Sequence, residues 1–227
     1  MTSQMIKGIP VETVVFDAYG TIFDVHAAVM KSAAVLGPLA RPLSELWRAK
    51  QLEYTWIRSL SARYVSFWQL TEESLDYALA TIAPDHRSLR NTILEAYRDL
   101  DAYSDAASAL ASLRSTGIKT AILSNGDAAM LERAVSSAHL SGMFDALLSV
   151  ETIGVYKTDP AAYRLVEQHM GVSPKATAFV SSNRWDIAGA KVAGFHCIWL
   201  NRLSRADEYS DMPPAAVIQS LAELLTD

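Results

Sequence analysis

The amino-acid sequence predicts an α/β protein with a parallel, doubly wound sheet and an inserted helical subdomain. Three observations carry that reading. Five short runs are continuously apolar, helical patterns separate the last four of them, and one long stretch after the first run holds nothing strand-like. Apolar runs without alternation suit strands covered on both faces. Regular strand–helix alternation implies parallel pairing through right-handed crossovers.

In order, the predicted strands are VETVVFD (11–17), IKTAILS (118–124), FDALLSV (144–150), ATAFVSS (176–182) and FHCIWLN (195–201). Between the second and third, Met130, Leu131, Ala134, Val135 and Ala138 recur at spacings of three and four, with Gly142 as a stop. The next helix opens at Asp159-Pro160 and closes at Gly171, a cap-and-stop pair. A shorter one, RWDIAGAKVAGF, ends at Gly194. A short terminal helix is expected after the loop SRADEYSDMPP (204–214). Between the first two strands the spacing is helical: Trp47, Tyr54, Ile57, Leu60, Tyr64, Phe67 and Trp68, then Leu75, Leu79 and Ile82. That is too much helix for a crossover, so residues 26–100 read as a small helical cap. Residues 1–25 and 101–227 then form the α/β core, with most of the cap's aromatics expected in its interior.

Composition narrows the class. Half of the 227 residues are hydrophobic and a fifth are charged, as in an ordinary globular protein. A net charge of −5 gives no reason to expect nucleic acid or an anionic membrane as partner. No apolar span reaches the roughly 18 residues of a membrane helix, and the start lacks a signal peptide's apolar core. The lone Cys197 lies in an apolar run, so it reads as a buried strand thiol in a reducing, cytoplasmic setting. The histidines His26, His86, His139, His169 and His196 show no ligand spacing.

In open α/β sheets, ligands bind beyond the carboxyl ends of the strands. That rule selects Asp17, then Ser124 and Asn125, then Lys157 beyond the third strand, then Ser181, Asn183 and Asp186. Alone, Asp17 could be a solvated strand-end acid. Convergence of two carboxylates, a lysine and two Ser-Asn pairs on one edge points to chemistry. A carboxylate is ionised at neutral pH and can attack carbon without a separate base. A nearby lysine would keep it charged and offset repulsion from an anionic substrate. Asp186, near a helix N-terminus, is favoured in its ionised form.

FDAYGTIFD, LSNG, the isolated Lys157 and SSNRWD resemble, in order and spacing, the haloacid dehalogenase superfamily. With LWRAKQLEYTW and YVSFW the resemblance narrows to the L-2-haloacid dehalogenases and covers residues 11 to 202. It implies a Rossmann-like core with a helical cap, a homodimer, no cofactor and hydrolysis of short L-2-haloalkanoic acids to D-2-hydroxy acids. By that resemblance Asp17 displaces halide with inversion and water hydrolyses the resulting ester. Arg48, otherwise readable as a surface arginine, becomes the halide acceptor and substrate-carboxylate partner. Tyr19, Leu52, Phe67 and Trp185 would line the pocket, and Ser124 with Asn125 would clamp the carboxylate, although both also suit turn capping. Thr21 and Tyr163 would support the site by hydrogen bonding; Asp186 is the candidate for orienting Lys157 and the hydrolytic water, with Ser181 and Asn183 positioning that water.

The sequence also departs from its relatives. Superfamily phosphatases carry a second aspartate where this chain has Tyr19, which cannot readily protonate a leaving oxygen and weakens a Mg²⁺ site. No metal is therefore expected. Ala49 stands at a pocket position where some relatives have glutamine, which leaves the substrate size preference open. Thr158 stands where proline is usual, and Arg184 reads either as solvated or as a cation at the site mouth. The competing readings are a metal-dependent phosphatase of the same fold, a fluoroacetate-acting relative, and a non-enzymatic binding protein. Asp24 reads as a cap or hinge residue where the chain leaves for the insertion.

Overall fold

The structure is a computed structural model and describes residues 4–225. A two-stranded antiparallel ribbon, β1 (Gln4–Ile6) and β2 (Ile9–Val11), precedes a six-stranded sheet. That sheet comprises β3 (Thr13–Phe16), β4 (Lys119–Ser124), β5 (Ala146–Ser149), β6 (Thr177–Ser181), β7 (His196–Leu200) and β8 (Ala216–Ile218). Its order is β5-β4-β3-β6-β7-β8, parallel throughout. Val14, Val15 and Phe16 on the central β3 are fully buried, as an unbroken apolar run demands of a strand covered on both faces. The order reverses between β3 and β6, and the crevice beyond their carboxyl ends is where this architecture binds ligands.

Helices α6 (Ala106–Ser115), α7 (Ala128–Ser137), α8 (Pro160–Met170) and α9 (Arg184–Val192) flank the sheet. The predicted start and stop of α8 hold: the Asp159 side chain accepts from the Ala161 N–H at 2.7 Å, and Gly171 closes the helix in the left-handed region. Helices α1 (Ala27–Met30), α2 (Ala33–Leu36), α3 (Ala40–Leu60), α4 (Phe67–Ile82) and α5 (Arg90–Arg98) lie between β3 and α6. The Asp24 carboxylate accepts the His26 N–H at 2.9 Å in the turn that starts this insertion. Among the described residues, no helix is long and apolar enough to cross a membrane.

Several expectations fail locally. The chain end forms the edge strand β8 and a 3₁₀ turn at Leu221–Leu225 in place of a terminal α-helix. The first predicted strand divides at Glu12, its first residue pairing in the ribbon and its centre in the sheet. Helix α7 stops at Ser137, ahead of Gly142, where the chain turns through His139 at φ 57°. On α3, Trp47 is buried in the insertion, but Trp56, Ile57 and Leu60 face solvent, with Leu60 86% exposed. The three-and-four spacing on α3 therefore mixes interior and surface positions.

Candidate active site

The site is built where β3 stops. Phe16 is the last paired residue and Asp17 follows, its own N–H still bonded to Val180 on β6 at 2.9 Å. Gly20, at φ 96°, supplies the left-handed residue that lets the chain double back. The turn is then pinned from β6: Ser182 Oγ donates to Gly20 O at 2.7 Å, and Ser182 N–H donates to Thr21 Oγ1 at 2.9 Å. This places Thr21 Oγ1 3.0 Å from Asp17 Oδ2 as a donor. Asn183 Nδ2 donates to the same oxygen at 2.8 Å. The other oxygen, Oδ1, receives Lys157 Nζ at 3.1 Å.

Lys157 bridges two acids. Its ammonium also donates to Asp186 Oδ2 at 2.9 Å, and Tyr163 OH donates to Asp186 Oδ1 at 2.7 Å. Asp17, Lys157 and Asp186 are all buried, the last completely. Burial works to lower Lys157, but the Asp17 and Asp186 charges outweigh it and hold the ammonium above the ordinary lysine range. Burial pushes the Asp186 carboxyl up to about 6; Lys157 opposes that rise and the Asp17 charge adds to it. Burial likewise pushes Tyr163 well above its ordinary value, so it stays a neutral donor. Between the two carboxylates, the position a bridging cation would take is held by an ammonium.

The loop after β4 supports this array through the backbone. Asn125 Oδ1 accepts the Lys157 N–H at 2.9 Å, while Ser124 Oγ accepts the Gly126 N–H at 3.0 Å. Ser124 thus holds its own turn, while Asn125 ties that turn to the loop carrying Lys157. Ser181 Oγ similarly accepts the Asn183 N–H at 3.1 Å. Gly126 has a steric reason to be glycine: a Cβ there would lie 2.6 Å from Tyr19 Cε2.

Tyr19 forms an apolar wall beside Asp17. Its ring stacks on Tyr97 at 5.6 Å and 8°, and lies 5.8 Å from Phe67 and 6.1 Å from Phe23. Burial first, and then the neighbouring Tyr97, push its pKa well above that of a free phenol. From α3, Arg48 reaches the turn: Nη2 donates to Tyr19 O at 3.0 Å and Nη1 to Gln51 Oε1 at 2.8 Å. Leu52 is half-buried, next in chain to Gln51. Trp185 meets Trp56 edge-to-face at 5.8 Å and, with Thr158, Val192 and Tyr209, lines a cleft of about 440 Å³.

Two readings are corrected. Arg184 is neither solvated nor a mouth cation: it is buried, bonded to Asp207 at 2.5 Å and to the carbonyls of Glu208, Tyr209 and Met212, and so ties down the 204–214 loop. Ala49 is exposed on α3, and its side chain forms no buried wall. Two residues escaped sequence reasoning. Gln51 is buried on the insertion side. Asp127 accepts the N–H groups of Phe67 and Trp68, both at 2.8 Å, across the core–insertion boundary. The one available signal for Gln51 was its place on the α3 stripe with Leu43, Trp47 and Thr55, where a polar residue is costly unless bonded.

Residues 11–194 match the family model of haloacid dehalogenase-like hydrolases. (S)-2-haloacid dehalogenase 1 of Pseudomonas sp. (strain CBS-3) is 46% identical over 95% of both chains. (S)-2-haloacid dehalogenase 4A of Burkholderia cepacia is 44% identical over 92% of this chain and 91% of its own. The solved structure of L-2-haloacid dehalogenase from Xanthobacter autotrophicus with chloropropionic acid covalently bound superposes with a TM-score of 0.87. It is 37% identical, covering 95% of this chain and 97% of that one. Shared fold, nearly full coverage and this degree of identity place the chain in the haloacid dehalogenase-like hydrolases, within the (S)-2-haloacid dehalogenase family.

Proposed function

We propose that this protein is an (S)-2-haloacid dehalogenase that hydrolyses short L-2-haloalkanoic acids to D-2-hydroxy acids through an ester on Asp17. The observation that carries the proposal is the Asp17 carboxylate, held against Lys157 at 3.1 Å beside the apolar Tyr19 wall. An Asp17 oxygen attacks C2 from the face opposite the halogen. The carbon–oxygen bond forms as the carbon–halogen bond breaks, and its electron pair leaves with the halide. Halide is a weak base and needs no proton, which fits a tyrosine where a leaving-group acid would otherwise stand. Arg48 is assigned to the departing halide and the substrate carboxylate, as a planar cation at the site edge. Ser124 and Asn125 are assigned to the carboxylate through their turn, and Leu52, Phe67 and Trp185 to the alkyl side of the pocket.

In the second half, water attacks the Asp17 carbonyl carbon and the ester opens at that carbon. The original Asp17 oxygen departs as the product hydroxyl, and one water oxygen remains in the carboxylate. Asn183 and Ser181 position that water, Asp186 orients Lys157, and Thr21 and Tyr163 hold the two acids. Residues 1–25 and 101–227 act as the catalytic core, and 26–100 as a cap that supplies Arg48 and Phe67. The reaction needs no metal ion, because the Lys157 ammonium already pairs with both carboxylates. The test is halide release from L- and D-2-chloropropionate with excess EDTA. Release from the L form alone, unchanged by EDTA, is expected. No release, together with Mg²⁺-dependent hydrolysis of a phosphate ester, would replace this reading with a phosphatase.

A further inference from the structure

We infer that Gln51 is a positioning residue for Arg48, setting the orientation of the guanidinium that receives halide in the reaction proposed above. The side chain is 1% exposed, so each polar atom needs a partner within the protein. It has them. Oε1 accepts from Arg48 Nη1 at 2.8 Å, and Nε2 donates to Thr71 Oγ1 at 2.8 Å and lies 3.2 Å from Tyr97 OH. A guanidinium only donates, so the amide atom facing Arg48 must be the oxygen, which fixes which way the amide points. Thr71 in turn donates to Phe67 O at 2.8 Å, so it presents a lone pair to Gln51 and not a competing proton.

The chain of contacts closes on the site. Gln51 meets Tyr97, Tyr97 stacks on Tyr19 at 5.6 Å, and the Tyr19 carbonyl takes Arg48 Nη2 at 3.0 Å. Arg48 is thus held at two points: one from the turn that carries Asp17, one from Gln51 on its own helix. Two fixed acceptors leave the guanidinium little rotational freedom, and the remaining N–H groups point where the fork permits. A long arginine with one contact removed would sample several rotamers and lose entropy on every halide capture. A neutral acceptor also matters. Glutamine orients the cation without neutralising it, whereas a carboxylate in the same place would compete with halide for its charge.

The experiment compares Gln51→Met, Gln51→Glu, Thr71→Val and Thr71→Ser with wild type, measuring kcat, KM, thermal midpoint and inhibition by bromide. Gln51→Met keeps the volume and removes the bonds to Arg48, Thr71 and Tyr97; a charge-assisted bond lost at this site predicts bromide binding and kcat/KM weaker by about tenfold. Gln51→Glu should weaken bromide further than Gln51→Met does. Thr71→Val, which removes the shorter bond at the far end of the amide and leaves Tyr97, should weaken it less, and Thr71→Ser should restore it. Variants that lose thermal midpoint while bromide inhibition and KM stay at wild-type values would overturn the inference and leave Gln51 a packing residue of the insertion. If Gln51→Met does not fold, the Thr71→Val and Thr71→Ser pair decides alone. A wild type without halide release would instead sink the dehalogenase reading, so the two failures are distinguishable.

Discussion

At the scale of single residues, the site is organised by one buried ammonium between two buried carboxylates. Removing one partner of such a set strands a charge in the interior, a cost of about 3–5 kcal/mol. Burial holds the Asp186 carboxyl near 6, above the 3.8 of an ordinary aspartate. The folded protein therefore takes up a proton between roughly these two values. This linkage favours the folded state at the acid end and is lost as pH rises through about 6. Activity runs the other way: protonating Asp186 removes the charge that pairs with Lys157, so turnover should fall below about pH 6. The Tyr163 hydroxyl lowers Asp186 by donating to it. Tyr163→Phe should move the acid limb of the kcat profile to higher pH, and an unmoved limb would separate it from Asp186. Asp17, Lys157, Asn183 and Asp186 were legible in the sequence because they follow strand ends, where the chain's own geometry gathers them. Gln51 and Asp127 were not, since their partners Tyr97 and Phe67 lie far off in sequence and no local pattern announces the contact.

At the scale of elements, the strands were legible and their edges were not. The central β3, β4 and β6 read correctly because burial on both faces enforces apolar runs. β8 is three residues at the sheet edge with an exposed Val217, too short and too mixed to signal itself, and LAELL looked helical where tertiary packing leaves a 3₁₀ turn. The junction of core and insertion was invisible for a related reason. Asp127 stands at the N-terminus of α7 but caps another helix, taking the first two N–H groups of α4. Phe67, the first of them, also faces Tyr19, so one carboxylate couples the loop after Ser124 to a wall of the pocket. Asp127→Ala should cost about 1–2 kcal/mol of stability, as the loss of a helix cap does. It should raise KM more than it lowers kcat, as measured by steady-state kinetics beside thermal melts. An unchanged KM would confine Asp127 to holding α4.

At the scale of the whole molecule, the switch point between β3 and β6 carries Asp17, the proposed nucleophile, and Asp186, and the helical insertion supplies Arg48 and Phe67. Neither half is proposed to be competent alone. The homodimer implied by the sequence resemblance has a candidate surface in the exposed Ile57 and Leu60 of α3. Sedimentation should give twice the monomer mass, with Leu60→Glu shifted toward monomer; a wild-type monomer would contradict the dimer and leave the chemistry untouched. The central claim, that an Asp17 oxygen becomes the product hydroxyl, is tested most directly by a single turnover in heavy-oxygen water. With enzyme in excess over L-2-chloropropionate, the D-lactate should carry no label and one labelled oxygen should appear in the Asp17 carboxylate. Label in the lactate, with Asp17 unlabelled, would mean that water attacks C2 directly and that the ester does not form.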